Sequence, residues 1–223
     1  MNWLNKSIIG EYQKTIQLTS NQLDLSSVQT YLKQMDDMIC KSNNIPDWEY
    51  PTIYRYFLKH GKSYPSLKIN AQELSEIKTH IKNFKTLYQQ KQCFYNAQKL
   101  AQNTACKYAE GFLMSGIFPM AHAWNTLNGK VIDFTMYHAN GGKPILGEIP
   151  AGWEYFGVDF STDIIRKLWS ETGIAGSLVD NYTQNFPLLK GNKIQDKSEL
   201  LDIASDDTKF TEEANTSGEL EIN

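Results

Sequence analysis

Cysteine is scarce. Only Cys40, Cys93 and Cys106 occur among 223 residues. An odd, low count excludes a disulfide scaffold and fits free thiols in a reducing compartment. Long hydrophobic runs are also missing. The most apolar stretch, from Gly111 to Trp124, is interrupted by Ser115, Pro119 and His122. It falls short of the ~20 residues that a bilayer span needs. The opening residues, MNWLNKSIIGEYQK, lack the apolar centre of a secretory signal. Excess charge of either sign is absent too: 22 Lys and Arg face 25 Asp and Glu, for a net charge of -3. That balance excludes the strongly basic surface of a non-specific nucleic-acid binder. These absences predict a cytoplasmic protein, or one delivered through a specialised secretion system, with no nucleic-acid or membrane partner.

What is present is enough for a core. Hydrophobic residues make up 41% and aromatic residues 12%, too many for a disordered chain. The charge is unevenly spread. Residues 191–223 hold nine acidic side chains against three lysines, a net of -6, which leaves +3 on the rest. From Asp202 onward apolar residues are few and Phe210 is the sole aromatic. The expected organisation is a helical accessory region over residues 1–90, packed on a core over 91–190, and a disordered acidic tail over 191–223. The tail either solvates or docks a protein partner.

Apolar spacing near 3.6 predicts a helix through Val28, Leu32, Met35 and Ile39, capped by Ser26 or Ser27. A second helix is expected after Pro51, with Pro51 in its first turn and Gly61 at its end. A long helix is expected from Asn70, where Glu73 completes a capping box and Leu74, Ile77, Ile81, Phe84, Leu87 and Tyr88 form the buried stripe. Nothing in this half has catalytic spacing, and His60 and His80 read as ordinary histidines. Cys93 to Lys107 is rich in helix formers. Strands are expected over Tyr108–Met114, Pro119–Thr126, Lys130–Met136 and Trp153–Phe160. Asn128-Gly129 is a two-residue hairpin turn. Gly141, Gly142, Pro144, Gly147, Pro150 and Gly152 mark a long loop beside the cleft. Two further helices are expected over Thr162–Ser170 and Ser177–Leu189. The fold class is therefore α+β.

The hairpin carries the chemistry. With Asn128 and Gly129 as its turn, Leu127 pairs with Lys130, Trp124 faces Asp133, and His122 faces Thr135. His122, Trp124, Asp133 and Thr135 then share one sheet face, and Ala121, Ala123, Ile132 and Phe134 the other. Asp133 lies diagonally from His122, within reach of a carboxylate–imidazole pair. Such a pair orients a general base and stabilises its charged form. Cys93, at a helix start, is the matching nucleophile, because unpaired backbone N–H groups there favour a thiolate. The same groups can hold an oxyanion, with a side-chain donor from Gln89, Gln90 or Gln92. Trp124, Trp153 and Tyr155 are candidate walls of the substrate pocket.

The order Cys93, His122-Ala123-Trp124, Asp133-Phe134-Thr135 resembles the transglutaminase-like branch of the papain-like cysteine enzymes. The resemblance covers about Lys91 to Thr135 and implies a helix bearing the cysteine, packed on a small antiparallel sheet that bears His and Asp. It departs from the family at the nucleophile, where Phe94 and Tyr95 follow Cys93 and no Trp or Tyr precedes it. It implies a thiol hydrolase (a cysteine peptidase or amidase) acting on a protein, a peptide or a small amide or ester, with no cofactor. An acyltransferase or transglutaminase would use the same triad. A third reading is a catalytically inactive interaction module. Metal binding is disfavoured: Cys93 and Cys106 lie about 20 Å apart along one predicted helix, and no CxxC or HExxH occurs. Gly141-Gly142-Lys143-Pro144 lacks the spacing of a phosphate-binding loop.

Overall fold

In the computed structural model, which describes residues 25–42, 45–173 and 175–192, Ser27 starts the first helix. Its hydroxyl accepts the Thr30 N–H and caps α1 (Val28–Cys40). Thr52 caps α2 (Ile53–His60) in the same way, accepting from the Arg55 N–H. Pro51 therefore precedes the cap rather than occupying the first turn. Gly61 ends α2 by donating its N–H to the Phe57 carbonyl. A short strand, β1 (Lys62–Ser63), follows, so the first ninety residues are not purely helical. Asn70 and Glu73 form the expected reciprocal capping box at the start of α3 (Ala71–Glu76). The single long helix expected there is two. Ile77 (φ −112°, ψ 11°) breaks it, and α4 (Lys78–Leu87) begins anew. Ile77 is fully buried with Tyr88 and Leu100, so core packing overrides local propensity at the break.

The second half carries most of the sheet. After α5 (Cys93–Asn103) come β2 (Lys107–Met114), β3 (Met120–Leu127) and β4 (Lys130–Asp133). Asn128 and Gly129 have φ of 51° and 78°, and Leu127 pairs with Lys130 as expected. The chain continues through β5 (Ile145–Leu146), β6 (Glu154–Phe160) and α6 (Thr162–Thr172). The strand order is β1-β6-β2-β3-β4-β5, and every neighbouring pair is antiparallel. The class is α+β.

Alternation along the strands gives the sheet two covered faces. Tyr108, Phe112, Ala123, Phe156 and Phe160 face the helices, where they meet Leu32, Phe57, Ala97, Ala101 and Ile165. Ala109, Leu113, Trp124 and Tyr155 face the other way and pack with Tyr64, Val131 and Ile145. The glycine-rich loop helps to close this second face. Leu67 donates its N–H to Gly147, Ile149 donates to the Ser66 hydroxyl, and Trp153 packs against the cluster. Gly147 needs its positive φ (83°), and a Cβ there would run into the Leu67 carbonyl.

Two expected elements are absent in the form read from sequence. The strand over Lys130–Met136 ends at Asp133, because its Oδ1 accepts the N–H groups of Thr135 (2.7 Å) and Met136 (3.2 Å). That side-chain capture of the backbone turns Thr135–Tyr137 into a short 3₁₀ helix. The helix over Ser177–Leu189 is replaced by irregular chain with one 3₁₀ turn, Tyr182–Gln184. The N–H groups of Leu178 (2.9 Å) and Val179 (2.7 Å) go instead to the buried Glu110 carboxylate. Asn185 and Phe186, both at positive φ, end the turn ahead of Pro187. The acidic tail, from residue 193 on, lies outside the described residues.

Candidate functional site

The site begins at a helix start that no side chain caps. Gln92 holds the N-cap position of α5 without a side-chain hydrogen bond, and its carbonyl accepts the Asn96 N–H. The first N–H groups of α5, beside Cys93, are thus left without a capping side chain. The turn before them is held in an unusual conformation, with Lys91 at φ 61°. Asn96, buried inside α5, is its bracket. Its Nδ2 donates to the Gln89 carbonyl (2.6 Å), and its Oδ1 accepts the Gln89 N–H (3.1 Å). The same Nδ2 donates to the Thr135 hydroxyl (3.0 Å), just past the end of β4. One amide therefore ties the turn before Cys93 to the turn after Asp133.

His122 comes from β3 and Asp133 from the end of β4. His122 Nε2 donates to Asp133 Oδ2 at 2.7 Å, across the diagonal read from the hairpin. Both residues are buried. Asp133 is saturated: Tyr155, on β6, donates its hydroxyl to the same Oδ2 (3.0 Å), while Oδ1 takes the two backbone N–H groups already described. Trp124 stacks behind His122 at 6.2 Å between ring centroids and 17° between planes. The ring of Trp124 lies over Gly157, where an added Cβ would come within 2.7 Å of Cη2. The absence of a side chain at Gly157 makes room for the wall behind the imidazole.

The electrostatics follow from these neighbours. Burial alone would lower the pKa of His122. The Asp133 charge and hydrogen bond, with a further contribution from the adjacent Cys93 sulfur, outweigh it and push the pKa up to about 10. His122 therefore holds its proton through neutral pH. With Nε2 engaged by Asp133, the second ring nitrogen remains for other chemistry. Burial raises the Tyr155 phenol well above its usual range, reinforced by Asp133, so this hydroxyl stays a donor.

Two cavities meet at Ala121 and His122. One, of ≈ 420 Å³, is lined by Gln90, Lys91, Cys93, Met120 and His138 among others. The second, of ≈ 270 Å³, lies on the Phe94 side and reaches Glu110 and Asp180. Cys93 is half-exposed toward the first.

Cys93, His122 and Asp133 are thus brought together. Of the three glutamines, Gln90 lines the cavity; Gln89 is bound through its backbone by Asn96, and Gln92 holds the exposed cap position. Trp124, Trp153 and Tyr155 do not line either cavity. They pack on the rear face behind the His–Asp pair, so the pocket-wall reading of these three gives way to a supporting position. Thr135 leaves the strand face and accepts from Asn96 instead. Cys106 is buried, and that burial raises its thiol pKa to about 11. His60 and His80 bond the hydroxyls of Tyr50 and Tyr88. Asn96 and Glu110 escaped the sequence reading. Their only signal is a polar residue at an apolar-facing position, which does not name its distant partner.

Among the described residues, no group of three or more His, Cys, Asp or Glu side chains is placed to hold a metal ion. No helix among them is long and apolar enough to cross a membrane. Comparison with known proteins finds no matching family model, no similar curated protein and no similar solved structure.

Proposed function

We propose that the chain is a cysteine-dependent acyl hydrolase, a peptidase or amidase, with Cys93 as nucleophile, His122 as acid–base and Asp133 as the group that orients His122. The carrying observation is the position of His122, bonded to Asp133 on one side and adjacent to the Cys93 sulfur on the other, where two cavities meet. The α+β arrangement, a cysteine at a helix start packed on an antiparallel sheet bearing His and Asp, supports a papain- or transglutaminase-like core. The substrate is a protein, a peptide or a small amide or ester, and the chemistry needs no cofactor.

The steps follow from the groups. In the resting pair the proton of Cys93 already resides on His122, and the Cys93 thiolate attacks the substrate carbonyl carbon, forming a C–S bond as the carbonyl π electrons move to oxygen. The oxyanion takes N–H groups at the uncapped start of α5, with the Gln90 side chain nearby as a further donor. His122 returns the proton to the departing nitrogen or oxygen as its bond to carbon breaks. Water, deprotonated by His122, then attacks the thioester; acid leaves and Cys93 is restored. The paired cavities favour one second reading: with an amine in place of water, the same groups perform acyl transfer.

The test is alkylation by iodoacetamide over about pH 4 to 10, read residue by residue by mass spectrometry. Cys93 is expected to label fast below about pH 7, and to lose that reactivity in His122→Ala, while Cys40 and Cys106 stay slow. Protection of Cys93, or labelling that ignores His122, would remove the triad and favour the interaction module. Screening of amide and ester substrates, with and without an added amine, then separates hydrolysis from transfer.

A further inference from the structure

The cavity on the Phe94 side of His122 has a chemistry of its own. Ile53, Phe57, Phe94 and Phe112 give it apolar walls. Two carboxylates line it, Glu110 and Asp180, and no lysine or arginine does. Glu110 is already satisfied by Tyr108, Ser177, Leu178 and Val179. The Asp180 carboxylate, by contrast, stands exposed at the edge of the cavity and has no hydrogen bond or ion pair among the described residues. An unpaired carboxylate at the mouth of an apolar space offers an incoming cation a charge-assisted hydrogen bond. Tyr182, 76% exposed, also lines the cavity and adds an aromatic ring to it. At ≈ 270 Å³ the space suits one side chain rather than a whole ligand.

We propose that this cavity is a specificity subsite for a side chain with an apolar stem and a cationic end, a lysine or arginine of a peptide substrate, with Asp180 as its ionic partner. The stem lies along Phe94 and Phe112. The charged end lies toward Asp180 and away from His122, whose own charge repels it. This inference rests on the reading of Cys93 as the reactive thiol at the adjoining cavity.

The test uses three chloroacetamides that differ only in their tails: aminopentyl, pentyl and carboxypentyl. In each case the Cys93 thiolate displaces chloride and forms a C–S bond, so the readout does not depend on which acyl transfer the protein performs. At low ionic strength, the aminopentyl reagent is expected to label Cys93 at least about fivefold faster than the pentyl one. Asp180→Asn is expected to bring that ratio below about twofold, and Asp180→Lys to favour the carboxypentyl reagent. Equal rates in the wild type, or a preference that survives in Asp180→Asn, overturn the subsite. Iodoacetamide, which has no tail, tells the two failures apart. If its reaction with Cys93 depends on His122 while the tails are not distinguished, the subsite alone falls. If that dependence is missing, or Cys93 reacts with none of the reagents, both readings fall.

Discussion

Asp133 accepts four hydrogen bonds, from His122, Tyr155, Thr135 and Met136, and each has a separable effect. The bond from His122 couples two charges in a buried place. Asp133→Asn removes the negative charge that outweighs the burial of the imidazole. The His122 pKa is then expected to fall from about 10 into or below the ordinary histidine range, as read by NMR titration of the ring. Breaking the pair also costs stability, up to about 3–5 kcal/mol, because the buried imidazole must either give up its proton or keep an uncompensated charge. Tyr155→Phe removes a neutral donor from the same oxygen. It is expected to cost about 1–2 kcal/mol and to leave the His122 pKa raised. Equal effects of the two variants on the His122 titration would mean that Asp133 charge is not the cause. The contrast gives Tyr155 a positioning part in the site, which its aromatic character concealed in the sequence.

At the scale of elements, the arrangement depends on how α5 meets the β3–β4 hairpin. Asn96 makes that joint by holding both polar groups of Gln89 and the hydroxyl of Thr135. Asn96→Ala is expected to slow Cys93 alkylation at neutral pH by about tenfold, since the turn that aims Cys93 loses its bracket. Hydrogen exchange within α5 should stay slow, because its helical bonds and its apolar contacts with the sheet remain. Asn96→Asp keeps an acceptor for the Gln89 N–H but loses both donated bonds, and its labelling should fall between the two. Uniform loss of protection across α5 would mean that Asn96 serves stability rather than aim. The sequence made one side of this joint legible. Local signals (the Asn128-Gly129 turn, period-two alternation and the Asn70–Glu73 box) specify the hairpin register, the His122–Asp133 diagonal and most helix starts. The other side was not legible, because Asn96, Tyr155 and Glu110 act on residues far along the chain. Glu110 binds N–H groups 68 and 69 positions away, and for that reason the helix expected over Ser177–Leu189 does not form. Where a side chain captures backbone donors, at Asp133 and at Glu110, propensity loses.

For the whole molecule, these buried charges make stability depend on pH. A histidine whose folded pKa is raised binds its proton more tightly in the native state than in the unfolded one. The native chain therefore carries the extra proton between the unfolded histidine value of about 6.5 and the folded value of about 10. Stability from this group is fully present below that window and drains as pH rises through it. Glu73 works in the opposite sense. Its hydrogen bonds to the Asn70 backbone, Lys130 and Asn128 lower its pKa to about 2, so its contribution is present above the ordinary carboxyl range and lost as pH falls toward 2. The buried phenols of Tyr56, Tyr64, Tyr88, Tyr108 and Tyr155, all raised chiefly by burial, add an alkaline loss that starts only near their unfolded value of about 10. Between about pH 7 and 8.5 the slope therefore belongs chiefly to His122; above that the buried Cys106 thiol, raised to about 11 from an unfolded value of about 8.5, adds a loss of the same sign. Urea midpoints of the wild type are expected to fall steadily across that range. Those of His122→Gln, lower at the start because Asp133 loses its charged partner, should stay nearly level until about pH 8.5, where Cys106 and then the tyrosines begin to contribute. Parallel slopes in the two proteins would show that His122 is neutral in the fold, and the imidazolium on which the thiolate pairing depends would be absent.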